Sequence, residues 1–133
     1  MGASTAQYGL KDRWVRSRLI TFGAAAGAQA AIDVPAGTFI PAFGVHIYIK
    51  SAWGGCTAVS VGDSDVDGWV GAGDVTLGTV GMYCGTAANA TLNDQGKIYT
   101  SADTIDVYNT SAATAGTAYV YARMIDVSDV YDD

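Results

Sequence analysis

Ala42-Phe43-Gly44-Val45-His46-Ile47-Tyr48-Ile49-Lys50 is the stretch that decides the fold class. Val45, Ile47 and Ile49 alternate with His46, Tyr48 and Lys50. A period of two places one face of a strand in a core and leaves the other for solvent or a partner.

The same texture continues in both directions. Upstream, residues 38–40 are short and extended, because Pro41 biases its predecessor toward β. Residues 28–34 read as a strand stopped by the Pro35-Ala36-Gly37 turn, and residues 16–22 read as the first strand. Downstream, Trp53-Gly54-Gly55 turns the chain into a strand over 56–61, with Val59 and Val61 on one face. A Gly/Asp loop spans 62–74, and a strand with interruptions at Gly78 and Gly81 spans 75–84. Short strands over 96–100 and 104–108 are joined by Ser101-Ala102-Asp103, short enough for a tight connection. Residues 117–127 close the fold with a strand that is apolar on both faces. Such a strand is either central in a sheet with a second layer over it or part of a subunit contact.

Composition agrees. All 13 acidic residues are Asp, charged residues make up 15%, and Gly contributes 17 of the 133 residues. The good helix formers Glu, Lys, Arg and Leu are scarce, which argues against a helical bundle. One domain is expected at this length. The pattern predicts an all-β, jelly-roll-like two-sheet β-sandwich of about eight strands over residues 16–128. An extended N-terminal arm would occupy 1–15 and an acidic tail 129–133. Deleting the arm is expected to abolish partner binding while leaving the body folded.

The net charge of −6 is unevenly spread. Residues 1–18 hold Lys11, Arg13, Arg16 and Arg18 against Asp12, a net +3, so the remainder carries −9. An acidic body repels a phosphate backbone, so no nucleic-acid partner is expected. The basic segment, anchored by Trp14, suits docking on an acidic protein surface. The candidate partner-binding residues are therefore Lys11, Arg13, Trp14, Arg16 and Arg18, with Tyr119 and Tyr121 of the last strand. No apolar run reaches the ~20 residues that span a bilayer, so no membrane is implied. The N-terminal residues lack the basic-then-apolar order of a secretory leader, which suggests synthesis in a cytosol. Cys56 and Cys84 are too few for a zinc site. Bridged, they would close a loop worth about 3.5 kcal/mol; in a reducing compartment they act as small buried hydrophobes.

Catalytic material is thin. His46 is the one histidine, on the polar face of a strand, and neither a phosphate loop nor a dinucleotide fingerprint is present. The sharpest local signal is Asp63-Ser64-Asp65-Val66-Asp67-Gly68 with Asp74 further on. Asp63, Asp65, Asp67 and Asp74 stand at positions one, three, five and twelve of a calcium loop, with Gly68 at the turn position. Calcium is the one cofactor this suggests, as a stiffener of the loop. Against it, Asp74 is shorter than the usual Glu, and strands rather than helices flank the loop. The same carboxylates also read as caps for the loop's own amides. Trp53, Trp69 and Tyr83 fall near loops, where they suit a sugar platform, a protein interface, or simply the cap of the core.

The order of segments resembles small β-sandwich decoration (cement) proteins of tailed-bacteriophage capsids. The resemblance rests on Val59-Ser60-Val61-Gly62-Asp63, on Asp67-Gly68-Trp69-Val70 followed by Asp74-Val75, on the Gly/Ala stretch, on Gly96-Lys97-Ile98-Tyr99-Thr100-Ser101-Ala102-Asp103-Thr104-Ile105-Asp106-Val107, and on the strand over 116–127. It implies a virion protein on the outer capsid surface, assembled in the host cytoplasm. Its partners would be the major capsid protein and further copies of itself, as a dimer or trimer, with no enzymatic residues. Head-fibre and tail-associated sandwiches look similar at this level. A secreted carbohydrate-binding or adhesin-like module, with a calcium-stabilised loop, is the alternative from another class.

Overall fold

Among the described residues ten strands form in chain order: β1 (Asp12–Arg16), β2 (Ile20–Thr21), β3 (Gly27–Val34), β4 (Thr38–Ile40), β5 (Val45–Gly54), β6 (Val59–Gly62), β7 (Gly81–Cys84), β8 (Lys97–Tyr99), β9 (Asp103–Asn109) and β10 (Ala115–Asp126). The computed structural model describes residues 10–21, 27–86, 90 and 92–128. Residues 1–9 of the expected arm, the Phe22 end of the first expected strand and the tail over 129–133 lie outside the described residues. Among the described residues no helix is long and apolar enough to cross a membrane.

The alternation in 45–50 is realised as drawn: Val45, Ile47 and Ile49 are fully buried, and Lys50 is exposed. Its neighbour is β10, whose Gly116, Ala118, Val120, Ala122 and Met124 point inward while the residues between them are half-buried on the outside. β10 is the spine of the larger sheet. Ala122 pairs with Val45 on one side and with Val15 on the other, while Ile125 pairs with Phe39 and Asp12. β4 and β5 therefore lie end to end along one edge of β10, and β1 and β2 end to end along the other. β8 and β7 flank β4 and β5 in turn. The smaller sheet runs β3-β9-β6, and an isolated bridge from Val61 to Val70 stands where a fourth strand would pair.

Counted as ribbons, the chain alternates between the sheets, with the Val70 bridge following β6 in the smaller one. The larger sheet has the spatial order (β1,β2)-β10-(β4,β5)-(β7,β8), and every pairing is antiparallel. That connectivity is a jelly roll. The strand count exceeds eight because long ribbons are interrupted. One break is the Pro41–Gly44 corner, where the Gly44 N–H donates to the Pro41 carbonyl at 2.9 Å and Phe43 adopts a left-handed φ of 59°. A Cβ on Gly44 would stand 2.6 Å from that carbonyl oxygen, so the corner needs glycine. A second break is at Ser17, and a third separates β7 from β8. The Ser17 N–H donates to the Val120 carbonyl, and its buried hydroxyl accepts the Val120 N–H at 2.9 Å, so a side chain replaces a missing ladder bond.

Three local expectations are corrected. Residues 12–15, assigned to the arm, belong to a strand in register with β10, and the boundary at residue 15 cuts through it. An edge strand meets water along one side and tolerates the charges that made this stretch read as irregular. Residues 75–84 are a strand only from Gly81 onward; the Trp53 N–H donates to the Leu77 carbonyl at 2.8 Å, and a turn follows. The 100–102 connection is not a hairpin, because β8 lies in the larger sheet and β9 in the smaller. The inner faces meet in one core that includes Ile32, Val34, Ile47, Val61, Val107 and Val120. Trp53 and Trp69 belong to that core, at 5% and 0% exposure, so neither is available as a sugar platform.

Candidate interaction surface

Asp63 follows β6 and turns inward. It is 3% exposed, and its Oδ2 accepts from Lys97 Nζ at 2.7 Å and from the Tyr99 hydroxyl at 2.8 Å. Its Oδ1 accepts the Asp65 N–H at 3.0 Å. Lys97 and Tyr99 are two apart on β8 and so share a face, with the Lys97 ammonium 4.7 Å from the Tyr99 ring centre. Trp69 Nε1–H donates to the Tyr99 oxygen at 3.0 Å, extending the network beneath the loop. Burial pushes the Asp63 pKa up, but the Lys97, Asp65 and Tyr99 hydrogen bonds outweigh it and hold the carboxyl below its usual value. Burial, against the Trp69 hydrogen bond, drives the Tyr99 phenol up, and Asp63 adds to the rise.

The four Asp residues read as calcium ligands are not gathered into a cage. Asp74 accepts from Gly71 N at 2.9 Å and from Thr86 N and Oγ1 at 3.2 and 3.0 Å. The hydrogen bond that a protonated Asp67 donates to the Asp65 carboxylate, with some burial and the Asp65 charge, pushes the Asp67 pKa up. Among the described residues no group of three or more His, Cys or Asp side chains is placed to hold a metal ion. Cys56 and Cys84 are both free and half-buried. His46 is committed to the Pro41–Gly44 corner: its Nε2–H donates to the Phe43 carbonyl at 2.9 Å, and Trp14 packs edge-on at 5.5 Å. Tyr83 faces the core side of β7 and donates to the Thr79 carbonyl at 2.7 Å.

What the fold does assemble is the outer face of the larger sheet. Register places Arg16, Tyr121, His46 and Cys84 in one row across four ribbons, and Tyr119, Tyr48 and Met82 in the next. Trp14 lies beside Arg123, and Ile125, Phe39 and Ile98 form a third row. Trp14, Met82 and Ile98 are each more than half exposed, as is Phe43 at the corner. The Arg16 guanidinium stacks 4.4 Å from the Tyr119 ring centre, and the Lys50 ammonium stands 5.8 Å from it. Arg123 makes a two-pronged pair with Asp12 at 3.0 and 2.7 Å. That hydrogen bonding pulls the Asp12 pKa down and pushes Arg123 up.

Four of the seven sequence-predicted partner residues thus share one face: Trp14, Arg16, Tyr119 and Tyr121. The other three do not. Arg13 points to the opposite side of β1, beside Met124 and Asp126. Hydrogen bonds from Ser128 lower the Asp126 pKa, and the Lys11 and Arg13 charges add to it. Arg18 reaches the Leu19 and Ala30 carbonyls at 3.5 and 3.4 Å. The sequence set missed Tyr48, Lys50, Arg123 and Met82. The alternation of 45–50 held the signal for Tyr48 and Lys50, since it left one face of that strand for a partner.

No protein-family model matches the chain, and no curated protein matches it either. Among solved structures it is similar to a chain of the cyanophage Pam1 capsid asymmetric unit, with a TM-score of 0.62 over 94% of this chain and 91% of that one, at 15% identity. At that identity the likeness is one of fold.

Proposed function

We propose that this chain is a non-enzymatic structural protein of a bacteriophage virion, a capsid decoration protein. It binds the outer shell as an oligomer and reinforces contacts between major capsid protein subunits. The observation that carries this reading is the match of almost the whole jelly roll to a chain of a phage capsid assembly. A fold alone does not assign a task, because jelly rolls also serve lectins and cupins. The second support is the exposed aromatic and basic face, whose Trp, Tyr and Arg content is that of protein contacts. The sugar-binding alternative loses its footing, since Trp53 and Trp69 are interior. On a symmetric lattice many weak contacts act together, and avidity rather than single-site affinity holds the protein in place.

The test is made on virions of the phage whose genome encodes the chain. Quantitative mass spectrometry should find it in a fixed ratio to the major capsid protein. Particles made without the gene should release their genome at a lower temperature, and added protein should restore the difference. Absence of the chain from purified virions would overturn the assignment.

A further inference from the structure

We propose that the outer face of the larger sheet docks, in a head-to-tail contact, on the outer face of the smaller sheet of a second copy of this chain, with Arg16 and Lys50 of one copy meeting Asp33 and Asp106 of the next. The proposal rests on the reading above, that this protein works by association, and identifies the surfaces that meet.

Charge is the first argument. The outer face of the larger sheet holds Arg16, Lys50 and Arg123 against Asp12, a net +2 on a chain of net −6. Arg123 is neutralised by Asp12, while Arg16 and Lys50 stand over Tyr119 and make neither of the two ion pairs found among the described residues. Two fixed cations at the centre of an aromatic face call for carboxylates from outside. Two copies meeting through this same face would bring a net +2 against a net +2, which disfavours a symmetric face-to-face dimer.

The smaller sheet supplies the complement. Asp33 pairs with Thr104, and Ala30 with Asp106, so Asp33 and Asp106 lie on its outer face, with Asp103 at its end. Arg18, reaching the Ala30 carbonyl, is the cation nearest that sheet in the hydrogen-bond network. Asp106 accepts a hydrogen bond from the Thr104 hydroxyl at 2.7 Å, and neither Asp33 nor Asp106 belongs to the two ion pairs found among the described residues. Ala28 and Ala30 are exposed on β3, beside Tyr108 of β9, and offer small side chains on which the Tyr119 and Tyr121 rings can pack. At ordinary strand spacings the strands of the larger sheet present ~620 Å² and those of the smaller sheet ~300 Å², so the smaller sheet bounds the contact and a single contact is weak, made effective by repetition. A standard interface takes about 800 Å² from each partner. A contact between two different faces closes into a ring or runs on as a filament.

Sedimentation analysis of the purified chain tests this. The wild type should self-associate, with affinity falling as salt rises from 0.05 to 0.5 M. Arg16→Asp with Lys50→Asp should weaken association at least tenfold, and so should Asp33→Lys with Asp106→Lys. The two variants mixed one to one, or one chain carrying all four changes, should recover it, because each reversed face then meets a reversed partner. Should the first pair melt early, Arg16→Gln with Lys50→Gln removes the charges at similar length and is read in the same assay. A wild type that stays monomeric at ~100 μM, or charge-reversed pairs that neither weaken association nor rescue each other, would overturn the contact. So would an Arg16/Lys50 variant that keeps its oligomer but no longer binds shells, which would assign the face to the capsid and leave the functional reading standing. Charge-swap rescue in a protein absent from virions would have the opposite meaning.

Discussion

Asp63→Ala should lower the melting temperature by about 10 °C, and the size of that effect follows from the network beneath the loop. The substitution removes the acceptor of three hydrogen bonds, from Lys97, Tyr99 and Asp65, at a site with 3% exposure. Removing one member of a buried ion pair costs about 3–5 kcal/mol. Lys97 keeps 34% of its side chain exposed and regains water, which puts the cost at the low end, ~3 kcal/mol. At an unfolding entropy of ~2.1 cal/mol/K per residue, 133 residues give ~0.28 kcal/mol/K and hence the ~10 °C. Asp63→Asn keeps the shape and loses the charge, so about half that shift is expected. The pH dependence has a definite sign. The Asp63 pKa is lowered in the folded protein, so the unfolded chain takes up the proton first. The stabilisation is complete above about pH 4 and is lost as pH falls through the folded-state value. The gap between wild type and Asp63→Asn should therefore narrow on acidification. Near-ultraviolet circular dichroism, which reports the buried Trp69, follows the melts at pH 7 and pH 2.5. An Asp63→Ala protein melting within ~2 °C of wild type at pH 7, or a gap that widens in acid, would refute the reasoning.

Two further substitutions probe the spine strand. Ser17→Ala leaves the buried Val120 N–H without its acceptor, which should cost about 1–2 kcal/mol and speed amide exchange at Val120, whereas Ser17→Thr should retain most of the stability. Gly116→Ala places a methyl against the Trp53 indole at a φ of 127°, where side chains are strained; a loss of about 2 kcal/mol or more with altered Trp53 fluorescence is expected, and an unchanged melt would contradict the close approach.

The elements legible in the sequence are those whose alternation is long and whose inward residues are β-branched. β5 and β9 are of that kind; β10 is legible by its length and its half-buried tyrosines, and the sandwich reading follows from the three. β1 was not legible, because Asp-Arg-Trp-Val-Arg carries its charges at an edge where water satisfies them. The crossing between β8 and β9 was hidden as well, since three residues can turn a hairpin or step from one sheet to the other. Asp63 shows the limit most clearly. Its spacing to Asp65 and Asp67 is visible within the loop, but its true partners lie more than thirty residues away on β8, and only the Lys97/Tyr99 alternation hints that both reach one point. The interaction face was half legible: Tyr119 and Tyr121 stood out on the strand that is apolar on both sides, and the cations that flank Tyr119 come from two other ribbons.

The position of β10 bears on how the molecule is made. Four strands hang on it, and it is synthesised after all of them. Until translation reaches Ala115–Asp126, the larger sheet has no centre, and β1 waits across more than a hundred residues for its neighbour. Such distant pairing is slow to find and leaves apolar strands uncovered meanwhile. Until β10 docks, the edges of β1, β4 and β5 that it covers stay unpaired, so the order of the chain makes closure of the larger sheet the last step of folding.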